Sequence, residues 1–289
     1  MSETRYAIVC GGRVIDEVGG DTIVPWFSFT KTVIAAAALT LVRDGILQLD
    51  GPVEGQRYTL RQLLQHRAGL TDYGSLPDYH EAVAKHDNPW TVEDLLTRTN
   101  ASRLRYEPGQ GWAYSNIGYL LVRNLTARAT ASPFETVVAS RVFQPLGIKT
   151  ARLVVQTDGL KDVEMGDARD YHPGWVYHGL IVGSLCDAAS LLDRLLGGNL
   201  LPAQLLAELQ KGHPVDTVKT GRPWQAPHYG LGLMMEGSDG PVGHTGGGAG
   251  SVIAAYRSRN RAAPLSVAAF APGDDTGYVE HFAFAKLRA

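Results

Sequence analysis

Two short alternating runs, residues 6–10 and 13–18, open the chain on either side of Gly11-Gly12. Alternation broken by two glycines predicts a β-hairpin. From residue 28 to 47 the pattern changes to helical, with four consecutive alanines at 35–38 that permit close packing, and Gly45 and Asp50-Gly51-Pro52 end it. The middle of the chain reads as short capped helices. Thr59-Leu60-Arg61-Gln62 fits a capping box, Thr91-Val92-Glu93-Asp94 opens another helix, and Ser132-Pro133-Phe134-Glu135 pairs a capping serine with proline at the first helical position. A helix over 187–196 stops at Gly197-Gly198. The strand pattern then returns at 229–235, 251–257 and 265–271, before a last helix at 279–287.

Strands at both ends with helices between them predict an α/β (α+β) fold. One antiparallel sheet is closed by the two chain ends (1–55 and 176–289), and residues 56–175 form a mostly helical insertion. At 289 residues, 44% hydrophobic and 19% charged, the chain can bury a large core. Its net charge of -2 leaves no basic footprint for nucleic acid. Apolar runs fall short of the roughly 18 residues that a membrane span needs. Met1-Ser2-Glu3-Thr4-Arg5 has no basic and apolar leader pattern, so the expected compartment is the cytoplasm. Cys10 and Cys186 suggest buried thiols and not a disulfide framework.

Against this background Ser28-Phe29-Thr30-Lys31 is a candidate reacting pair. Residues three apart share a helix face, which brings the serine hydroxyl within reach of the lysine amine. A capping serine beside a solvated lysine fits the same four residues. Two later triplets separate the readings: Tyr114-Ser115-Asn116, after Pro108-Gly109-Gln110-Gly111-Trp112, and His244-Thr245-Gly246, opening the run Gly246-Gly247-Gly248-Ala249-Gly250. With Thr59–Leu70 and Tyr229-Gly230-Leu231-Gly232-Leu233 as flanks, the chain resembles the serine β-lactamase and penicillin-binding protein superfamily, nearest its class C, D-peptidase and esterase (family VIII-like) branch.

The resemblance implies a serine hydrolase with Ser28 as nucleophile, forming an acyl-enzyme. Lys31 and Tyr114 are the candidate bases, and coupled groups of this kind titrate as a unit, so the proton is assigned to neither. Asn116 would support the substrate and the lysine, and the backbone N–H groups of Ser28 and Gly247 would form the oxyanion hole. No cofactor or metal is implied: the residue four after His80 is Ala84, so no zinc helix forms, and no Gly-x-Ser-x-Gly elbow surrounds Ser28. The glycine run lacks the Gly-Lys-Ser/Thr of a phosphate loop.

His244 stands where β-lactamases and cell-wall peptidases usually carry lysine. A histidine is mostly neutral at pH 7. That favours small esters and amides over β-lactams and D-alanyl peptides, leaves it free to steer the tyrosine proton, and makes Thr245 and Gly246 the rest of a substrate-binding strand. By the same resemblance the family's N-terminal helix is reduced or absent. The rival readings are a β-lactamase or D-aminopeptidase, and a non-catalytic binding protein on this fold. Asp72 and Tyr73 read as loop residues near the cleft.

Overall fold

The hairpin forms as the alternation requires. In the computed structural model, which describes residues 4–168, 170–216, 220–259 and 262–288, β1 (Arg5–Cys10) pairs with β2 (Arg13–Val18). Gly11 and Gly12 take φ of +55° and +78°, the left-handed pair that a two-residue turn between twisted strands demands. Residues 1–3, part of the leader reading, lie outside the described residues. The strands that follow are β3 (Ile23–Pro25), β4 (Arg152–Val154), β5 (Leu180–Ser184), β6 (His213–Pro214), β7 (Pro227–Tyr229), β8 (Met234–Glu236), β9 (Val242–Gly248), β10 (Ser251–Arg257) and β11 (Leu265–Pro272). The main sheet has the order β2-β1-β11-β10-β9-β8-β7-β6. The two chain ends close it: β1 lies antiparallel to β11, from Arg5 opposite Phe270 to Cys10 opposite Leu265.

The helices are α1 (Thr30–Arg43), α2 (Leu60–Leu64), α3 (Pro77–Ala84), α4 (Val92–Arg98), α5 (Asn116–Ala129), α6 (Phe134–Val138), α7 (Leu185–Leu196), α8 (Ala203–Leu209) and α9 (Thr276–Arg288). Alternate residues of the sheet feed two cores. Ala7, Val9, Ala255 and Ala268 pack with α1 and the leucines of α7, whereas Tyr6, Ile8, Ala254 and Val267 pack with Phe284 of α9. The four alanines of α1 are completely buried, which lets the helix run through the middle of the first core. None of the helices among the described residues is long and apolar enough to cross a membrane.

Four expectations need correction. First, α1 stops at Arg43 and not at 47. Gly45 (φ +73°) donates to the Val42 carbonyl while Ile46 donates to Leu41, a Schellman ending. Second, residues 229–235 are not one strand but the two arms β7 and β8, because Gly230–Leu233 turns back onto α1. Gly232 (φ +75°) donates to Leu64 O, and its own carbonyl accepts from Thr32 Oγ1 at 2.7 Å. Third, a small sheet β3-β5-β4 appears, with β4 inside the segment read as helical; three-residue strands are too short to show a period. Fourth, the Thr59 capping box and the Thr91 cap form, but Ser132 caps nothing: its hydroxyl donates to Thr130 O, and Pro133 precedes α6.

Candidate active site

Ser28 lies in a single 3-10 turn, Phe27–Phe29, just before α1 and not within it. Phe27 takes φ of +39°, a left-handed conformation that costs a bulky residue strain. The turn is clamped against β9. A methyl on Gly246 would overlap the Trp26 carbonyl oxygen and sit 3.0 Å from the Ser28 nitrogen, so only glycine allows this approach. No side-chain cap forms at this helix start, so the capping reading of Ser28 falls away.

The distant triplets converge on that serine. Lys31 Nζ is 3.0 Å from Ser28 Oγ and 2.7 Å from Asn116 Oδ1, and the Tyr114 hydroxyl donates to Ser28 Oγ at 2.9 Å. Ser115 makes this possible by capping α5: it accepts from the Gly118 N–H and donates to Thr71 O, so Tyr114 and Asn116 flank a fixed helix start. Asn116 itself is not the cap. Its backbone N–H and Nδ2 donate to the Asp72 carboxylate at 2.7 and 3.3 Å, which leaves Oδ1 for the lysine.

Three further groups complete the surroundings. Asp72 and His66 lie within or beside the Thr59–Leu70 flank, where no specific role was legible. His66 accepts the Ser115 N–H at Nδ1, and its ring centroid lies 4.3 Å from that of Tyr114. His178, in a stretch with no readable motif, brings Nε2 to 3.3 Å from Lys31 Nζ. Only the packed fold brings these residues to the serine.

Burial sets the charges. Lys31 is fully enclosed, and desolvation pulls its pKa down to about 7 against the attraction of Asp72. Burial also raises the Asp72 carboxyl, with Asn116 and Lys31 opposing it. The Tyr114 hydroxyl is driven well above its ordinary range by burial, opposed by the Ser28 hydrogen bond, and stays a phenol. His244 is held at about 3 by burial first and Lys31 second. It is neutral, as expected, but its hydrogen bonds run to Tyr229 and not to Tyr114: Nδ1–H donates to Thr245 O at 2.7 Å, and Nε2 accepts from the Tyr229 hydroxyl at 2.9 Å.

Thr245 sends its hydroxyl to Glu280 of α9, beside the Tyr256 hydroxyl at 2.6 Å. Gly247 is exposed and lines the cleft. That cleft holds about 900 Å³ beside Ser28. Phe27, Tyr73, Tyr79, Tyr171 and Trp175 wall one part of it, and Trp112, Trp224, Tyr229 and Met234 another. Among its lining residues Tyr79 lies on α3, and Tyr171, Trp175 and His178 lie between β4 and β5.

The chain is similar to several known proteins. Esterase EstB of Burkholderia gladioli is 30% identical over 156 residues, covering 46% of this chain and 39% of the esterase. A D-aminopeptidase of Brucella anthropi is 26% identical over 243 residues, covering 78% of this chain and 45% of the relative. The chain thus spans less than half the length of these relatives. Among solved structures, D-amino acid amidase from Ochrobactrum anthropi SV3 superposes with a TM-score of 0.78 at 26% identity, covering 96% of this chain and 91% of that one. The beta-lactamase family model matches residues 5–285, nearly the whole described fold, and the chain belongs to that family.

Proposed function

We propose that this chain is a serine hydrolase that cleaves small esters and amides through an acyl-enzyme on Ser28. One observation carries the reading: Ser28 Oγ is within hydrogen-bond reach of both a fully buried lysine and a protonated tyrosine. Neutral Lys31 takes the Ser28 proton as Oγ attacks the carbonyl carbon. The N–H groups of Ser28 and Gly247 receive the developing oxyanion, a contribution typically of a few kcal/mol. Tyr114 gives its proton to the departing oxygen or nitrogen and regains one from the Lys31 ammonium. Water then cleaves the acyl ester by the reverse relay. Asn116 holds the lysine, and His244, Thr245 and Gly246 shape the substrate strand. In this reading the cleft lies between the sheet unit (1–55 and 176–289) and the helical unit (56–175). The names of the relatives, an esterase, a D-aminopeptidase and a D-amino acid amidase, support the ester and amide class.

The test is a panel: a short-chain nitrophenyl ester, a chromogenic cephalosporin and a D-alanyl dipeptide, with intact-mass detection of the adduct formed by a serine-directed phosphonate. Ester turnover with an adduct on Ser28 is the expected result. Cephalosporin turnover of equal efficiency would move the assignment to a β-lactamase, and no adduct at all would overturn the hydrolase reading.

The pH profile is a second expected outcome. The base must be neutral, so kcat/KM should fall as pH drops through about 7, the value burial gives Lys31, and level off above it. His244, at about 3, does not titrate in this window. An acid limb that persists in His244→Asn supports the lysine, whereas one that vanishes there assigns the limb to the histidine.

A further inference from the structure

Lys31 Nζ has three polar neighbours within hydrogen-bond reach: Ser28 Oγ at 3.0 Å, Asn116 Oδ1 at 2.7 Å and His178 Nε2 at 3.3 Å. An ammonium has three N–H donors and satisfies all three, whereas a neutral amine has two donors and one lone pair. Which acceptors take the two donors decides where the lone pair points. With Asn116 and, in the tautomer that carries its proton on Nδ1, His178 as acceptors, the lone pair is left for the Ser28 hydroxyl. Were His178 absent, the amine would turn a second N–H onto Ser28 Oγ and become a donor where a base is needed.

We propose that His178 is a positioning residue for the acylation step: as a neutral acceptor at Nε2 it aims the Lys31 lone pair at the Ser28 proton. This rests on the hydrolase reading above. The ring suits the task. It is buried, and desolvation, with Lys31 adding to it, keeps its pKa well below the ordinary value, so the acceptor nitrogen is not lost to protonation. It is set by the segment between the turn Pro173–Trp175 and β5, and β5 pairs with β3 just ahead of the Ser28 turn, so serine and histidine share one support. In the step itself the Ser28 O–H bond breaks, its proton joins Lys31 as Oγ bonds to the carbonyl carbon, and His178 accepts a lysine N–H before and after without gaining a proton.

The other charged or titratable groups around Lys31 are Asp72 on the segment after α2, His66 at the end of α2, Tyr114 and Tyr119 at the start of α5, and His244 on β9. Among these Asp72 favours the ammonium, and His66 and His244 are kept neutral by burial. Removing the His178 acceptor takes away a partner of the ammonium and should therefore lower the lysine pKa.

The experiment compares His178→Leu with His178→Gln, whose amide oxygen accepts in the same region, by pre-steady-state acylation of the wild-type-competent nitrophenyl ester across pH 5–9. The leucine variant is expected to acylate about 10- to 100-fold more slowly on its plateau, with its acid limb displaced to lower pH and KM little changed; glutamine should recover most of the rate. Equal plateaus and limbs in leucine and wild type, or no recovery with glutamine, would overturn the proposal. Nitrogen NMR of histidine-labelled wild-type protein reads the same point without any variant: an unprotonated Nε2 from pH 6 to 9 supports it, and a protonated one overturns it. If the wild-type chain forms no phosphonate adduct on Ser28, the hydrolase reading fails first, and that result is distinct from the variant comparison.

Discussion

Ser28→Ala and Lys31→Met are each expected to lower ester kcat by about 10⁴-fold or more, and the double variant to be scarcely worse than either single one. The reason is the geometry of one shared proton. Ser28 Oγ accepts the Tyr114 hydroxyl at 2.9 Å and lies 3.0 Å from Lys31 Nζ, so nucleophile and base act only as a pair. Without the amine, the serine proton has only Tyr114 to receive it, and that phenol is itself held protonated by burial. A factor of 10⁴ is about 5.5 kcal/mol of barrier. Steady-state kinetics on the two singles and the double decide the matter. If Lys31→Met keeps activity within tenfold of wild type, Lys31 is not the base and the tyrosine must be. If the two losses multiply in the double variant, the residues act independently and the shared-proton relay is wrong.

Glu280→Ala should cost about 3–5 kcal/mol of folding stability in urea unfolding, the largest expected from any single change outside the reacting groups. Glu280 is fully buried, and its carboxylate accepts from Arg222 Nε at 2.8 Å, from Arg222 Nη2, from Trp224 Nε1 at 3.0 Å and from Thr245 Oγ1. Alanine removes the acceptor from four donors on three residues at once and leaves an arginine charge that is only 20% exposed without its carboxylate. The same carboxylate ties α9 and the 222–224 segment to the strand carrying His244, so the loss should extend to the cleft as a raised KM. Glu280→Gln retains an acceptor oxygen and should lose less. A loss below 1 kcal/mol for alanine would mean that Arg222 swings into solvent and that the network contributes little.

Much of the fold and of the reacting set was legible because it is local in character. The Gly11-Gly12 hairpin, the Thr59 capping box and the four-alanine helix depend on neighbours within about four residues. Ser28 and Lys31 are three apart, and the two other triplets carry recognisable flanks. Where reading failed, competing long-range packing won. Residues 229–235 alternate like one strand, yet the turn at Gly230–Leu233 docks on Leu64 and Thr32 and breaks it. Ser132 had the composition of a cap, but Pro133 took the capping position. Glu280 read only as part of a last helix, with nothing nearby to show that Arg222 and Thr245 would meet it.

By itself the chain determined its chemistry-bearing residue types, their order, and a sheet made from both of its ends, since periodicity, capping and turn residues act over a few positions. Tertiary structure decided the rest. It placed Asn116 and His178 around Lys31 from 85 and 147 residues away, and it removed water from the lysine. That burial turns an ordinary surface-type cation into a base near pH 7, because desolvation depends on everything packed around a group and not on its neighbours in sequence.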